Sequence, residues 1–263
     1  VRTSHVMYVD ADFFESTHLY RVLNEPSVKS ELAQDHKLTL VVPAFMVKRQ
    51  CSEYTDCRED NLAQMPNTTK EMINLVMGKQ AGAFDPTNRG GHGSTNYGVW
   101  YAQEEGGLYD VPCFKSNRYE PYVAFRYCED LPPFQESFTG YGKNKMTWVM
   151  HLRRTGYDFA QLGQVFLVHY PHLDSKARLE WNKGPEEVFK SVKDEEGPEG
   201  AMRRRRPEEV DADIDWSKYS RGQMDLLYVE FKDWLYEEVQ DEARVFPCKD
   251  AKDDDKMLWI KND

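Results

Sequence analysis

Three stretches of this chain are apolar almost throughout: HVMYVD at 5–10, LTLVVPAF at 38–45 and QVFLVHYPH at 164–172. Runs of that length, closed by acid, proline or histidine, read as short buried strands. YEPYVAFR at 119–126 reads as another strand. Helical spacing fills the stretches between. It runs from about Ser16 to Leu32 with a break near Pro26, and from Thr68 to Met77, with Thr69 as cap and Met72, Ile73, Val76 and Met77 as stripe. NKMTWVMHLRRT at 144–155 ends at Gly156, and 223–240 turns Leu226, Leu227, Phe231, Leu235 and Val239 toward a core. Buried strands alternating with such helices imply an α/β layer architecture.

A chain of 263 residues is long enough for one large domain or two small ones. The expected division is a core at 1–182, an exposed polar excursion at 183–222 around Arg203–Arg206, and a C-terminal helix and tail at 223–263. A net charge of -11 argues against a nucleic-acid backbone as partner. No run of about 18 apolar residues occurs, so nothing here reads as a membrane span. The five cysteines form no CxxC pair, which argues against zinc. Cys51 and Cys57 are close enough in sequence to pair, and the odd count leaves at least one thiol over. Asn67-Thr68-Thr69 is a glycosylation sequon. The opening Val1-Arg2 fits a fragment.

The chemistry gathers at strand ends. Asp10 and Asp12 follow the first apolar run, and residues two apart in an extended segment share a face. Two adjacent carboxylates repel and resist desolvation, and a divalent cation relieves both problems. Ligands of open α/β sheets collect beyond the carboxyl ends of strands, where this pair sits. His169 and His172 end another apolar run, and a neutral imidazole there completes a carboxylate site for Mn²⁺ or a similar ion. In FQESFTGYGKNK, 134–145, Gly140 and Gly142 flank Tyr141 and permit close backbone approach to a ligand. The loop then enters a helix whose first amides favour anionic or polar groups. Residues 78–98, rich in Gly, Asn and Thr, read as a long loop of the functional kind.

YVDADFF with HLY at 18–20, LVVPAF, HGSTNYGVWY at 92–101, YEPYVAFR, FTGYGKNK, GYDFAQLGQVFLVHYPH and a terminal FKDWL follow one another along the chain. As an ordered series they resemble glycosyltransferase family 49, of LARGE-type and β-1,4-glucuronyltransferase-like enzymes. The resemblance implies a GT-A-like fold, a mixed sheet flanked by helices. It implies an inverting, metal-dependent transfer of a sugar, glucuronic acid among the candidates, from a UDP-sugar donor to a glycan acceptor. It also implies Mn²⁺ or Mg²⁺, the Golgi lumen, and a membrane contact only through an N-terminal anchor ahead of these residues. Asp10, Asp12 and His169 become the metal ligands. His92, Thr95, Tyr97, Trp100, Gly140, Tyr141, Gly142 and His172 become donor or acceptor contacts.

Two departures stand out. The DxD lies at residue 10, so the first nucleotide-binding βαβ half is expected to be missing. No carboxylate stands at Lys143-Asn144, where many inverting enzymes keep their base; Glu120 and Glu136 are the candidates instead. The alternatives are a haloacid-dehalogenase-like phosphohydrolase, with Asp10 as nucleophile, and a non-catalytic glycan-binding relative.

Overall fold

The computed structural model describes residues 3–50, 53, 60–139, 141–184, 219–249 and 251. In chain order the elements are β1 (His5–Met7), β2 (Phe13–Glu15), α1 (Leu19–Leu23), α2 (Pro26–Gln34), β3 (Leu38–Val42), β4 (Ala44–Val47) and α3 (Thr69–Met77). Then come β5 (Ala81–Ala83), α4 (Arg89–His92), α5 (Tyr97–Ala102), β6 (Leu108–Asp110), β7 (Cys113–Phe114) and β8 (Tyr122–Arg126). The series ends with α6 (Asn144–Arg154), β9 (Asp158–Leu162), β10 (Leu167–His169), α7 (Lys176–Asn182), α8 (Ser220–Glu238) and β11 (Phe246–Pro247). A five-stranded sheet runs β1-β8-β3-β9-β6, with β3 and β9 parallel and the other pairs antiparallel. A four-stranded sheet runs β2-β10-β4-β5, with β10 and β4 parallel.

The apolar run at 38–45 is therefore two strands in two sheets. Pro43 has no N–H to give a ladder, and the chain changes sheets there. Its carbonyl accepts Leu167 N–H at 3.0 Å, so β10 enters the second sheet alongside β4. Both faces of the larger sheet are covered. Leu40, Val42, Ala160 and Leu162 pack on Leu19, Val22, Val28 and Leu32 of α1 and α2. Val41, Val123, Phe125 and Phe159 pack on Trp148, Val149 and Leu152 of α6. Double coverage explains why these runs are continuous rather than alternating. The result is a mixed α/β molecule with helices flanking mixed sheets, as the GT-A-like expectation requires.

Several expectations shift by one position. Thr68, not Thr69, caps α3: its hydroxyl accepts Glu71 N–H at 3.3 Å while the Glu71 carboxylate accepts Thr68 N–H at 3.0 Å. Met72 of that helix is buried, whereas Met77 is 80% exposed in its last turn. In α8 the inward residues are Asp225, Tyr228, Phe231 and Leu235, and Leu226 faces out. α6 ends as expected at Gly156, in a Schellman arrangement with Tyr157 N–H on the Leu152 carbonyl at 3.0 Å. The loop at 78–98 contains β5 and α4. Cys113 and Cys248 form a disulfide beside the β7–β11 pair, and Cys128 is free. Cys51, Cys57 and the arginine run at 203–206 lie outside the described residues.

Candidate metal centre and active site

β2 and β10 pair antiparallel with Phe13 opposite His169, which brings Asp12 to the end of β10. Asp12 carbonyl accepts Tyr170 N–H at 2.8 Å and fixes that corner. The Asp12 Oδ2 atom lies 3.2 Å from His169 Nε2 and 3.1 Å from His172 Nε2. Among the described residues, Asp12, His169 and His172 form the one group of His, Cys, Asp or Glu side chains spaced to hold a metal. The side chains are 40%, 19% and 31% exposed, so the group opens to solvent. The contacts with His169 and His172 hold the Asp12 carboxyl far below the usual carboxylate range, with burial opposing them.

The donor set suits a divalent cation. His172 Nδ1 is 2.6 Å from the Leu173 carbonyl, which can only accept, so Nδ1 carries the proton. In the neutral ring that leaves a lone pair on Nε2 aimed at the Asp12 carboxylate. Two electron-rich atoms facing each other require a cation between them or a proton on the ring. A backbone carbonyl that fixes the tautomer of the opposite nitrogen is the usual support of a metal-binding histidine.

Asp10 stands apart from this group. β1 ends at Met7, and residues 10–13 turn, with Phe13 N–H on the Asp10 carbonyl at 3.2 Å. The shared-face expectation for Asp10 and Asp12 held for extended chain, and a turn sends the two carboxylates apart. Asp10 Oδ2 accepts from Tyr122 OH at 2.7 Å and Lys145 Nζ at 3.2 Å, and Oδ1 accepts from Tyr8 OH at 3.0 Å. The Lys145 side chain is only 8% exposed and lies over the Tyr122 ring at 4.0 Å. Burial, then the Asp10 charge, pushes both tyrosine hydroxyls well above their ordinary range.

Glu120 belongs with this second cluster. Its Oε1 accepts from Asn88 Nδ2 at 3.1 Å. A Cβ on Gly91 would stand 2.5 Å from that Asn88 nitrogen and 2.8 Å from Glu120 Oε1, so only glycine lets the pair close. Burial raises the Glu120 carboxyl above its ordinary value, against the nearby Lys145 ammonium. His92 is buried against Phe84, ring centres 5.0 Å apart, and burial followed by the Lys145 charge lowers it to about 4. Glu136 is exposed.

The aromatic loop reads differently once folded. Trp100 is fully buried and donates from Nε1 to the Val165 carbonyl at 2.7 Å, packed on Phe45 and Phe166. A ring with no exposed face cannot hold an acceptor, so Trp100 is a core anchor. Tyr97 OH donates to the Ala44 carbonyl at 2.6 Å, and Thr95 is buried with its hydroxyl 2.9 Å from Tyr119 OH. Tyr141 is 39% exposed, takes a 2.7 Å bond from Arg178 and has its ring 5.6 Å from that of Trp181. Gly142 has φ +88°, and a Cβ there would lie 2.8 Å from the Trp181 ring. Gly140 lies outside the described residues. Tyr8, Asn88, Tyr122 and Lys145 escaped the sequence reading. The one available signal was Lys145, a charge on an otherwise core-facing stretch of α6.

A family model described as "Glycosyl-transferase for dystroglycan" matches residues 1–195. The chain is 30% identical over 177 residues to xylosyl- and glucuronyltransferase LARGE2 of Mus musculus, covering 66% of this chain and 23% of that protein. It is 29% identical over 175 residues to LARGE2s of Danio rerio, covering 66% and 21%. Over 175 residues it is 25% identical to the glycosyltransferase-like protein gnt14 of Dictyostelium discoideum, covering 66% and 25%. The matched part thus amounts to about a quarter of each relative's length. No helix among the described residues is long and apolar enough to cross a membrane.

Proposed function

The chain belongs to glycosyltransferase family 49, and from that premise we propose that it carries the metal-binding and catalytic part of an inverting transferase, moving a sugar from a UDP-sugar to a glycan acceptor. The relatives named for xylosyl and glucuronyl transfer make glucuronic acid the first donor to try. The Golgi lumen is the proposed setting. The observation that carries the reading is the carboxylate between two imidazoles, one of them held in a ligating tautomer. Asp12, His169 and His172 would hold the cation, with Mn²⁺ as the proposed ion. A bound divalent cation supplies Lewis-acid neutralisation of the departing diphosphate.

The chain's own residues do the remaining work. Glu120 takes the proton from the acceptor hydroxyl, and burial raises its affinity for that proton. The acceptor oxygen then bonds to the anomeric carbon from the face opposite the leaving group. The bond from that carbon to the diphosphate oxygen breaks, and its electron pair leaves with the nucleotide. Asn88 aims the Glu120 carboxylate, and Lys145 keeps a positive charge beside it. Asp10, bound by Tyr8, Tyr122 and Lys145, fixes that ammonium rather than ligating metal. The match to the family and the antiparallel edge position of β1 leave no support for the phosphohydrolase alternative.

Calorimetry with Mn²⁺ on wild type and Asp12→Ala tests the centre, alongside sugar transfer from UDP-glucuronic acid and UDP-xylose. Wild type should bind the ion and the variant should not, with transfer reduced by roughly 10³-fold or more. Equal Mn²⁺ binding by both proteins would remove the proposal. Ion binding without transfer from any UDP-sugar would favour the glycan-binding alternative.

A further inference from the structure

Lys143 is the N-cap of α6, and it sits at φ +63°, directly after Gly142 at φ +88°. Glycine takes such angles freely; lysine does so rarely and at a cost. Two consecutive left-handed residues thus set the direction in which α6 leaves the loop, and Lys145 follows two residues later. Something must hold Lys143 in place. Its Nζ lies 2.8 Å from Asp225 Oδ1 of α8 and 4.4 Å from the Tyr228 ring centre. The two charged side chains are 16% and 8% exposed, so the pair is largely withdrawn from water. Removing one member of such a pair leaves an uncompensated buried charge.

α8 itself is secured independently of that pair. Phe138, Met146 and Met150 pack on Tyr228, Phe231 and Leu235. Arg154, at the far end of α6, donates to the Val239 and Tyr236 carbonyls at 2.7 and 3.1 Å and to Asp241 at 3.0 Å. The helix pair therefore stays assembled when the ion pair is lost, and only the turn at 142–143 and the first residues of α6 are released. The matching family model stops at residue 195, short of α8, so this contact lies outside what the family match covers.

We infer that α8 holds the active-site loop in its working conformation through the Asp225–Lys143 ion pair, making Asp225 a positioning residue for Lys145. The inference rests on the functional reading above for its effect on rate, but the conformational part stands alone. Asp225→Asn releases Lys143 from its left-handed angle, and Lys145 loses its 3.2 Å contact with Asp10. Lys143→Gly removes both the strain and the ammonium, so the Lys143→Gly/Asp225→Asn pair regains the loop.

The test compares wild type, Asp225→Asn, Asp225→Glu and the double variant on the full chain. The first readout is the acetylation rate of Lys145 by acetic anhydride, followed by mass spectrometry. Lys145 should react at least roughly tenfold faster in Asp225→Asn, with Asp225→Glu intermediate and the double variant near wild type. The second readout is transfer: kcat should fall by roughly 10- to 100-fold in Asp225→Asn with donor KM and Mn²⁺ affinity held, and recover in the double variant. An unchanged Lys145 rate in Asp225→Asn overturns the inference, as does a double variant no better than the single. A wild type that transfers no sugar sinks the functional reading alone, because the labelling readout still decides the clamp.

Discussion

Asp10 and Asp12 are separated by one alanine, yet they anchor two clusters built in opposite ways. The Asp12 group is open, assembled by strand register, and has three ligands converging on one point. The Asp10 carboxylate is as exposed as that of Asp12, at 40%, but it is held by direct side-chain bonds from Tyr8, Tyr122 and Lys145, whose rings and ammonium pack on one another. The first is poised to accept something from outside; the second is already satisfied from within. A paired-carboxylate motif therefore does not commit both members to one task. In the proposed reading, the turn between them divides ion binding from control of the charge around Glu120.

The sharpest way to break that division is Glu120→Gln. It should lower kcat by roughly 10²–10⁴-fold and leave Mn²⁺ affinity untouched. Steady-state kinetics with parallel calorimetry would show it, and an exposed control, Glu136→Gln, should retain its rate. Full activity in Glu120→Gln would transfer the base elsewhere and dissolve the contrast.

His92 probes the buried side through pH. Burial first, then the Lys145 charge, lowers it to about 4, so the folded state binds the proton less readily than the unfolded chain does. Stability from this residue is therefore complete above about pH 6.5 and is lost as pH falls through that value toward 4. The loss amounts to about 3 kcal/mol between pH 7 and pH 4. Urea unfolding at both values should show that component in wild type and not in His92→Gln. Equal pH slopes would mean that water reaches the His92 ring in the folded state.

The smallest expected effect is Tyr8→Phe, which deletes one of the three bonds to Asp10. A stability loss of about 1 kcal/mol and a fall in kcat of less than about tenfold should follow, with Mn²⁺ affinity unchanged. Impaired ion binding would tie the two clusters together after all.

The apolar runs at 38–45 and 164–172 announced a layered α/β molecule because a strand covered on both faces has no polar side to show. Asp12 and His169 were readable for a related reason, since acid and imidazole at strand ends are costly without a partner. The second cluster was hidden by its nature. Tyr8, Tyr122 and Lys145 lie 114 and 23 residues apart along the chain and look like ordinary core and helix residues until β1, β8 and α6 meet. The resemblance puts Trp100 at the donor or acceptor, whereas the folded chain packs α5 through Trp100 onto Phe45 of β4. The sequence offers His172 both as a strand-end imidazole for a metal and, through the resemblance, as a donor or acceptor contact; only the folded chain shows its Nδ1 on the Leu173 carbonyl and its Nε2 on Asp12.

Pro43 and the stretch 163–166 carry the chain from the larger sheet into the smaller one side by side, joined by the Leu167–Pro43 hydrogen bond. A single covalent crossing would leave one sheet free to twist about the other. Two adjacent crossings share any torque and oppose it. Opening either sheet must strip strands from both, because β3 continues into β4 and β9 into β10. The sheets are thereby committed to a common unfolding unit, so thermal fluctuation has no inexpensive way to spread the corner at Asp12 from the cluster at Glu120.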